Sequence, residues 1–190
     1  MALVPFASVD TSALRWIRTR DKPIAFSLRA GDAEVATLSW ERVGGSLAVA
    51  TAQHGSWTLK RAGFLQPTVL VRSAGSSEPV ARLSAHLSRH EVNLAGGPSF
   101  RLRHVSHIVP SWRLSTDRGV EVLHVEPVAE HRQLAAGAVV VTPGSAGDAT
   151  LLLVVLTWYF VVLSWFEDEA IEALTPLEGS YPPVARGDPS

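Results

Sequence analysis

The chain has 190 residues, enough for one domain with a buried core, or for one domain and a tail. It contains no cysteine, which excludes disulfides, thiol nucleophiles and cysteine metal sites. Its net charge of −1 argues against bulk nucleic-acid binding, but the charge is divided. Residues 1–132 hold 16 Lys+Arg against 11 Asp+Glu, whereas residues 133–190 hold 1 against 7.

Residues 1–13 read as a lead-in with little periodicity, and they lack the charged start and long apolar run of a secretory signal. Short strands are then expected in close succession. Leu14 to Arg20 is broken by Asp21-Lys22-Pro23, and Ile24 to Leu28 is closed by Ala30-Gly31-Asp32. Glu34 to Arg42 sets Ala36, Leu38 and Trp40 on one face and Val35, Thr37, Ser39 and Glu41 on the other. Gly44-Gly45 marks a hairpin before Leu47 to Thr51, and Gln53-His54-Gly55 marks another before Ser56 to Arg61. Thr68 to Arg72, Val80 to Leu87, Glu91 to Leu94, Ser99 to Arg103 and Ser111 to Ser115 continue the series. Val120 to Val125 and Leu134 to Val141 complete it. About a dozen short strands with turn chemistry between them indicate an antiparallel sandwich or barrel.

Asp148 to Phe166, DATLLLVVLTWYFVVLSWF, is of another kind. From Ala149 to Phe166 there is no charge and no polar face, so a helix here must be enclosed on all sides, by lipid or by its own protein. Its 18 uncharged residues span about 27 Å, the lower edge of what crosses a bilayer. No Lys or Arg occurs from Gln133 to Ala185 to anchor it. Trp158 and Tyr159 lie mid-helix, and their N–H and O–H groups should find partners in a protein interior. A barrel of about 12 strands is hollow, with room for an object roughly 10 Å wide, which is the diameter of a helix. The expected fold is therefore mainly β, a closed antiparallel barrel of about 12 strands around a buried helix at about 148–168. The domain would cover residues 14–172, with a disordered tail at 173–190. The alternative is a β domain anchored in a membrane by the helix 149–166.

The Trp-x-Leu strands (Trp57-Thr58-Leu59 and Trp112-Arg113-Leu114), the hairpin Trp112 to Gly119 and the final apolar helix resemble the superfamily of tubby, phospholipid scramblase and LURP-one-related proteins. The resemblance covers roughly residues 14 to 168. It implies a 12-stranded barrel closed around its C-terminal helix, and it is linked to phosphoinositide binding, phospholipid movement with calcium, and plant defence. The acidic calcium segment of scramblases would fall near Val141 to Asp148, where this chain offers only Asp148, more simply a helix N-cap. No cofactor is expected. The resemblance implies a non-catalytic binding or scaffold module, cytoplasmic or membrane-associated. Its partner would be a phospholipid headgroup, a small ligand or a protein.

Arg101, Arg103 and Arg113 alternate with inward apolar residues on strands close in sequence, so they should share an outer face. That makes them the candidate anion or headgroup contact, with a solvated wall as the plainer reading. Arg15, Arg18, Arg20 and Lys22, or Lys60-Arg61, would serve the same purpose. His86-x3-His90 and His104-x2-His107 have metal-like spacing only on a helix. On a strand, four residues separate the rings by roughly 13 Å. There is no Gly-x-Ser-x-Gly elbow and no phosphate-binding loop, so no catalytic residue is assigned. Glu167, Asp168, Glu169 and Glu172 sit at the unfavourable end of the helix dipole, and the basic rim of the barrel is the group expected to offset them.

Overall fold

In the computed structural model the described residues are 2–63, 67–86, 89–106, 110–131, 133–144 and 149–174. Twelve strands run in chain order: β1 (Leu14–Asp21), β2 (Ile24–Ala30), β3 (Ala33–Trp40), β4 (Leu47–Ala52), β5 (Gly55–Ala62) and β6 (Thr68–Ser73), then β7 (Pro79–His86), β8 (Arg89–Leu94), β9 (Ser99–Ser106), β10 (Ser111–Thr116), β11 (Glu121–Glu130) and β12 (Gln133–Val141). The helix α1 (Thr150–Leu174) follows. Each strand pairs antiparallel with the next, and β1 pairs with β12, so the sheet closes on itself. Closure gives every strand a neighbour on both sides, the structural answer to the edge problem.

The period-2 pattern decides which side chains enter the lumen. Ala36, Leu38 and Trp40 of β3, Phe100 and Leu102 of β9 and Leu114 of β10 are all buried. The lumen is filled by α1. Every residue from Leu153 to Tyr159 is buried, and so are Val161 and Val162. Seven consecutive buried residues span nearly two turns at 3.6 residues per turn, so the helix is enclosed on every side. Ala48, Ala50 and Ala52 are the inward residues of β4. Gly137 of β12 leaves space for the ring of Trp158. Trp158 stacks on Trp16 at 5.9 Å and meets Phe26 edge-on at 5.2 Å, while Tyr159 stacks on Trp40 at 5.5 Å.

Several expectations are corrected. Val35, placed on the outer face by strict alternation, is fully buried beside Ala36. It is the extra residue of a β-bulge, since Leu28 pairs with Ala36 and Arg29 with Glu34. Val122 and Leu123 are both buried for the same reason, at the bulge between Leu114 and Ser115. Strand β11 continues past Val125 through Pro127 to Glu130. The missing N–H of Pro127 is tolerated because β10 begins at Ser111 and reaches no further than Val125 along β11. The helix continues beyond residue 168 to Leu174, since Glu167 to Leu174 contains no glycine or proline to stop it. The lead-in is also more than a lead-in. Val4 donates to the Glu34 carbonyl at 2.9 Å, and Val4, Phe6 and Val9 pack against the core at one end of the barrel.

One expectation about the helix divides. Tyr159 donates its hydroxyl to the Ser46 carbonyl, but the indole N–H of Trp158 has no hydrogen-bond partner. The lumen wall explains the difference. Its backbone carbonyls are engaged in the β-ladder and its side chains are apolar, so only a group that reaches a turn finds an acceptor.

Candidate functional site at the mouth of the barrel

The C-terminal ends of β1, β3, β5, β7 and β9 lie at one end of an up-and-down barrel, and α1 emerges there beside the end of β5. Burial falls along its last turns: Leu163, Ser164 and Trp165 are half-buried, Phe166 is 37% exposed and Glu167 is exposed. Glu167 forms an ion pair with Arg61 at the end of β5. A basic residue of the rim thus meets an acidic residue of the helix, but α1 runs on to Leu174, so Glu167 lies before the last turn, where the macrodipole acts. The side chains of Asp168, Glu169 and Glu172 lie outside the description, as do residues 145–148 and 175–190.

Two clefts flank the emerging helix and share Arg61, Leu163 and Glu167. The first, of about 510 Å³, has an apolar floor of Ile24, Trp40, Val43, Leu163 and Phe166. Arg18, Lys22, Arg42 and Arg61 stand around it, with Asp21 and Glu167 as the acidic members. Arg18 is held by Asp21 at 3.0 Å, and Arg61 by Glu167. Lys22 and Arg42 have no acidic partner among the described residues, and both are exposed. The second cleft, of about 450 Å³, places His90 and His104 over an aromatic cluster. Phe160 meets Trp112 edge-on at 5.3 Å, His90 lies 4.6 Å from Phe160, and His104 lies 5.0 Å from Trp112.

Within the first cleft Trp40 is held by stacking on Tyr159 and by an edge contact with Phe26. Burial raises the Tyr159 phenol well above its ordinary value, outweighing the smaller lowering effect of the Arg61 backbone and charge. Tyr159 therefore stays a neutral hydrogen-bond donor to Ser46 and adds no negative charge to the mouth. The cleft thus combines a fixed apolar surface with unneutralised cations at its edge, an arrangement that suits a ligand with an apolar body and an anionic end.

The residues anticipated as the anion contact lie elsewhere, on the outer wall. Arg103 and Arg113 are direct cross-strand partners on β9 and β10, and Arg101 lies two residues along β9, opposite Ser115. The three do share one face, but Arg113 is paired with Glu121 at 2.6 Å and Arg101 faces Asp117 at 3.9 Å. Only Arg103 of the three has no acidic partner among the described residues. Of the other basic candidates, Arg18, Lys22 and Arg61 are at the mouth. Arg15 and Arg20 line an outer groove, and Lys60 is exposed on the wall. The sequence reading ended a strand at Arg42, whereas β3 ends at Trp40 and Arg42 lies in the turn beyond it, where alternation carries no information on direction. The available signal is topological: in an up-and-down barrel, turns that follow odd-numbered strands share one end.

Of the histidine pairs, His90 and His104 come together across the Trp112 ring, although they are not the pairs suggested by spacing. The side chain of His86 and the whole of His107 lie outside the described residues. Among the described residues no group of three or more His, Cys, Asp or Glu is placed to hold a metal ion. Compared with protein-family models, curated proteins and solved structures, the chain matches none.

Proposed function

We propose that the protein is a non-catalytic binding module whose mouth takes a ligand with an apolar body and an anionic end, a phospholipid headgroup region being the first choice. The observation that carries this reading is the first cleft. Ile24, Trp40, Val43, Leu163 and Phe166 supply the apolar floor, and the exposed cations Lys22 and Arg42 stand beside it with no acidic partner among the described residues. The resemblance to tubby, scramblase and LURP-one-related proteins favours the same class of ligand. Exposed cations next to an anionic surface are worth about 1 kcal/mol each, so two of them bias binding strongly without any base, nucleophile or metal.

Co-sedimentation of the full chain with phosphatidylcholine vesicles, with and without phosphatidylserine, tests the proposal. Binding should require the anionic lipid and should be lost in Lys22→Ser/Arg42→Ser. The triple change Arg101→Ser/Arg103→Ser/Arg113→Ser should leave it unchanged. The reverse pattern would move the site to the outer wall, and equal binding to neutral vesicles would refute the anionic requirement.

A second reading, a β domain held at a membrane by its helix, draws on Thr150–Glu167. By length and composition this segment is apolar and long enough to cross a membrane. The first reading is preferred because 56% of that segment is buried inside the protein and its aromatic residues are engaged by β1, β2 and β3.

A further inference from the structure

The barrel is closed, but its closing seam is incomplete. Among the described residues the ladder between β1 and β12 runs from Leu14 to Ile17, opposite Val139 to Ala136. Beyond that rung both strands carry a bulge at the same level. On β1 the register against β2 shifts between Arg18 and Arg20, leaving Thr19 extra. On β12 the register against β11 shifts between Val128 and Ala129, leaving Ala135 extra. Two bulges facing each other bend the strands apart. The result is an outer groove of about 600 Å³ lined by Arg15, Thr19, Arg20, His131 and Ala135, among others. His131, at the turn from β11 to β12, has φ +52°, the left-handed region that a non-glycine residue seldom adopts.

Arg18 occupies the gap. Its guanidinium donates to the Leu134 carbonyl at 3.3 Å and to Gln133 Oε1 at 3.5 Å, and it is fixed by Asp21 at 3.0 Å. A side chain thus stands where a backbone rung would be. Among the described residues, Arg18 to Asp21 of β1 pair only with β2, and this stretch presents its other edge to the groove.

We infer that this opened seam is an interaction surface that accepts an extended, acidic segment of a partner protein as an added strand along β1. A free edge binds a strand through main-chain hydrogen bonds and sets specificity through alternate side chains. Charge selects the acidic occupant. Arg18 is neutralised by Asp21, which leaves Arg15 and Arg20, both exposed, against Glu130 across the groove. A strand lying along β1 is nearer the two arginines than the glutamate on the far side. Entry requires Arg18 to let go of Leu134, so the staple keeps the edge covered when no partner is present. The surface adjoins the apolar cleft of the mouth and shares Arg18 and Asp21 with it, but Arg15 and Arg20, which select the acidic occupant, do not line that cleft.

The test is amide NMR on the isotope-labelled full chain, titrated with a blocked pentapeptide of alternating valine and glutamate. The same peptide with lysine for glutamate serves as the control. Saturable shifts and slowed hydrogen exchange at Arg18 to Asp21 with the acidic peptide alone are expected. Arg15→Glu/Arg20→Glu should weaken binding by about tenfold or more while leaving the thermal melt in place, since both side chains are exposed. Absence of binding, equal response to both peptides, or shifts mapping away from the seam would overturn the inference. The same shifts produced by free glutamate would reduce the surface to a simple anion site. Seam amides already protected in a sedimenting dimer would make a second copy of this chain the occupant.

Discussion

Replacing Gly137 with alanine sets two effects of opposite sign against each other. A Gly→Ala change in a strand usually stabilises by about 0.4–1 kcal/mol, because the unfolded chain loses freedom. Here the added Cβ would lie 2.5 Å from Cη2 of Trp158, closer still to Cζ3, and 3.3 Å from Cε3. Carbon atoms in contact sit roughly 3.5–4.0 Å apart, so the ring must retreat by about 1 Å or more. It cannot do so freely, being stacked on Trp16 at 5.9 Å and abutting Phe26 at 5.2 Å. The backbone cannot yield cheaply either, since Gly137 is in register with Trp16 on one side and Pro127 on the other. Overpacking of this kind costs about 1–3 kcal/mol, which outweighs the entropic gain. For a chain of this size a net loss of about 1 kcal/mol lowers Tm by roughly 2–4 °C. Thermal and urea melts followed by circular dichroism would measure it. In a Trp158→Phe background the obstacle is gone, so Gly137→Ala should become neutral or stabilising. That is a coupling of about 1–3 kcal/mol between the two sites. If Gly137→Ala raises Tm, or costs the same in both backgrounds, the close fit of helix against β12 is wrong.

Deleting residues 148–190 should abolish the cooperative melt and leave an aggregation-prone chain, because the inward faces of twelve strands lose their core. A folded, soluble remnant would instead favour the membrane-anchor reading. Tyr159→Phe removes the bond to the Ser46 carbonyl and should cost about 0.5–1.5 kcal/mol by denaturant titration. The same residue sets an alkaline limit. Its folded-state pKa is raised, so its contribution is complete below the unfolded value near 10 and declines as the unfolded phenol ionises above that pH. Stability measured from pH 8 to 11 should therefore fall less steeply in Tyr159→Phe than in the parent. Glu167→Gln breaks a half-exposed pair with Arg61 and should change stability by no more than about 1 kcal/mol.

Much of this architecture is readable from residue order because a barrel converts alternation directly into inside and outside. The strand that carries Ala36, Leu38 and Trp40 and the uncharged run from Ala149 to Phe166 need no further information to be placed. Bulges are where that reading stops. Val35 and Val122 are buried against the alternation because an extra residue resets the face, and nothing local in the chain marks the reset. The site is less legible still. Arg101, Arg103 and Arg113 were visible because they alternate along strands, yet two of them face carboxylates supplied by the turn and strand beyond, Asp117 and Glu121. Lys22 and Arg42 sit in turns far apart in sequence, and only closure of the sheet brings them beside one cleft. The orphan N–H of Trp158 was equally hidden. Whether an indole finds an acceptor depends on which carbonyls the ladder has left over, a property of the whole wall rather than of the helix.

The position of α1 has a consequence for biosynthesis. Strand β1 finds β12, its last neighbour, only after nearly the whole sheet has been translated, and the helix that fills the interior is made later still. A nascent chain must therefore display twelve half-apolar strands before anything exists to cover them. Folding of such non-local topology is slow, and its intermediates are prone to associate. A product terminated before α1 has nothing to close around and stays exposed to chaperones and proteases. Only a polypeptide that includes α1 can withdraw its apolar surface from view.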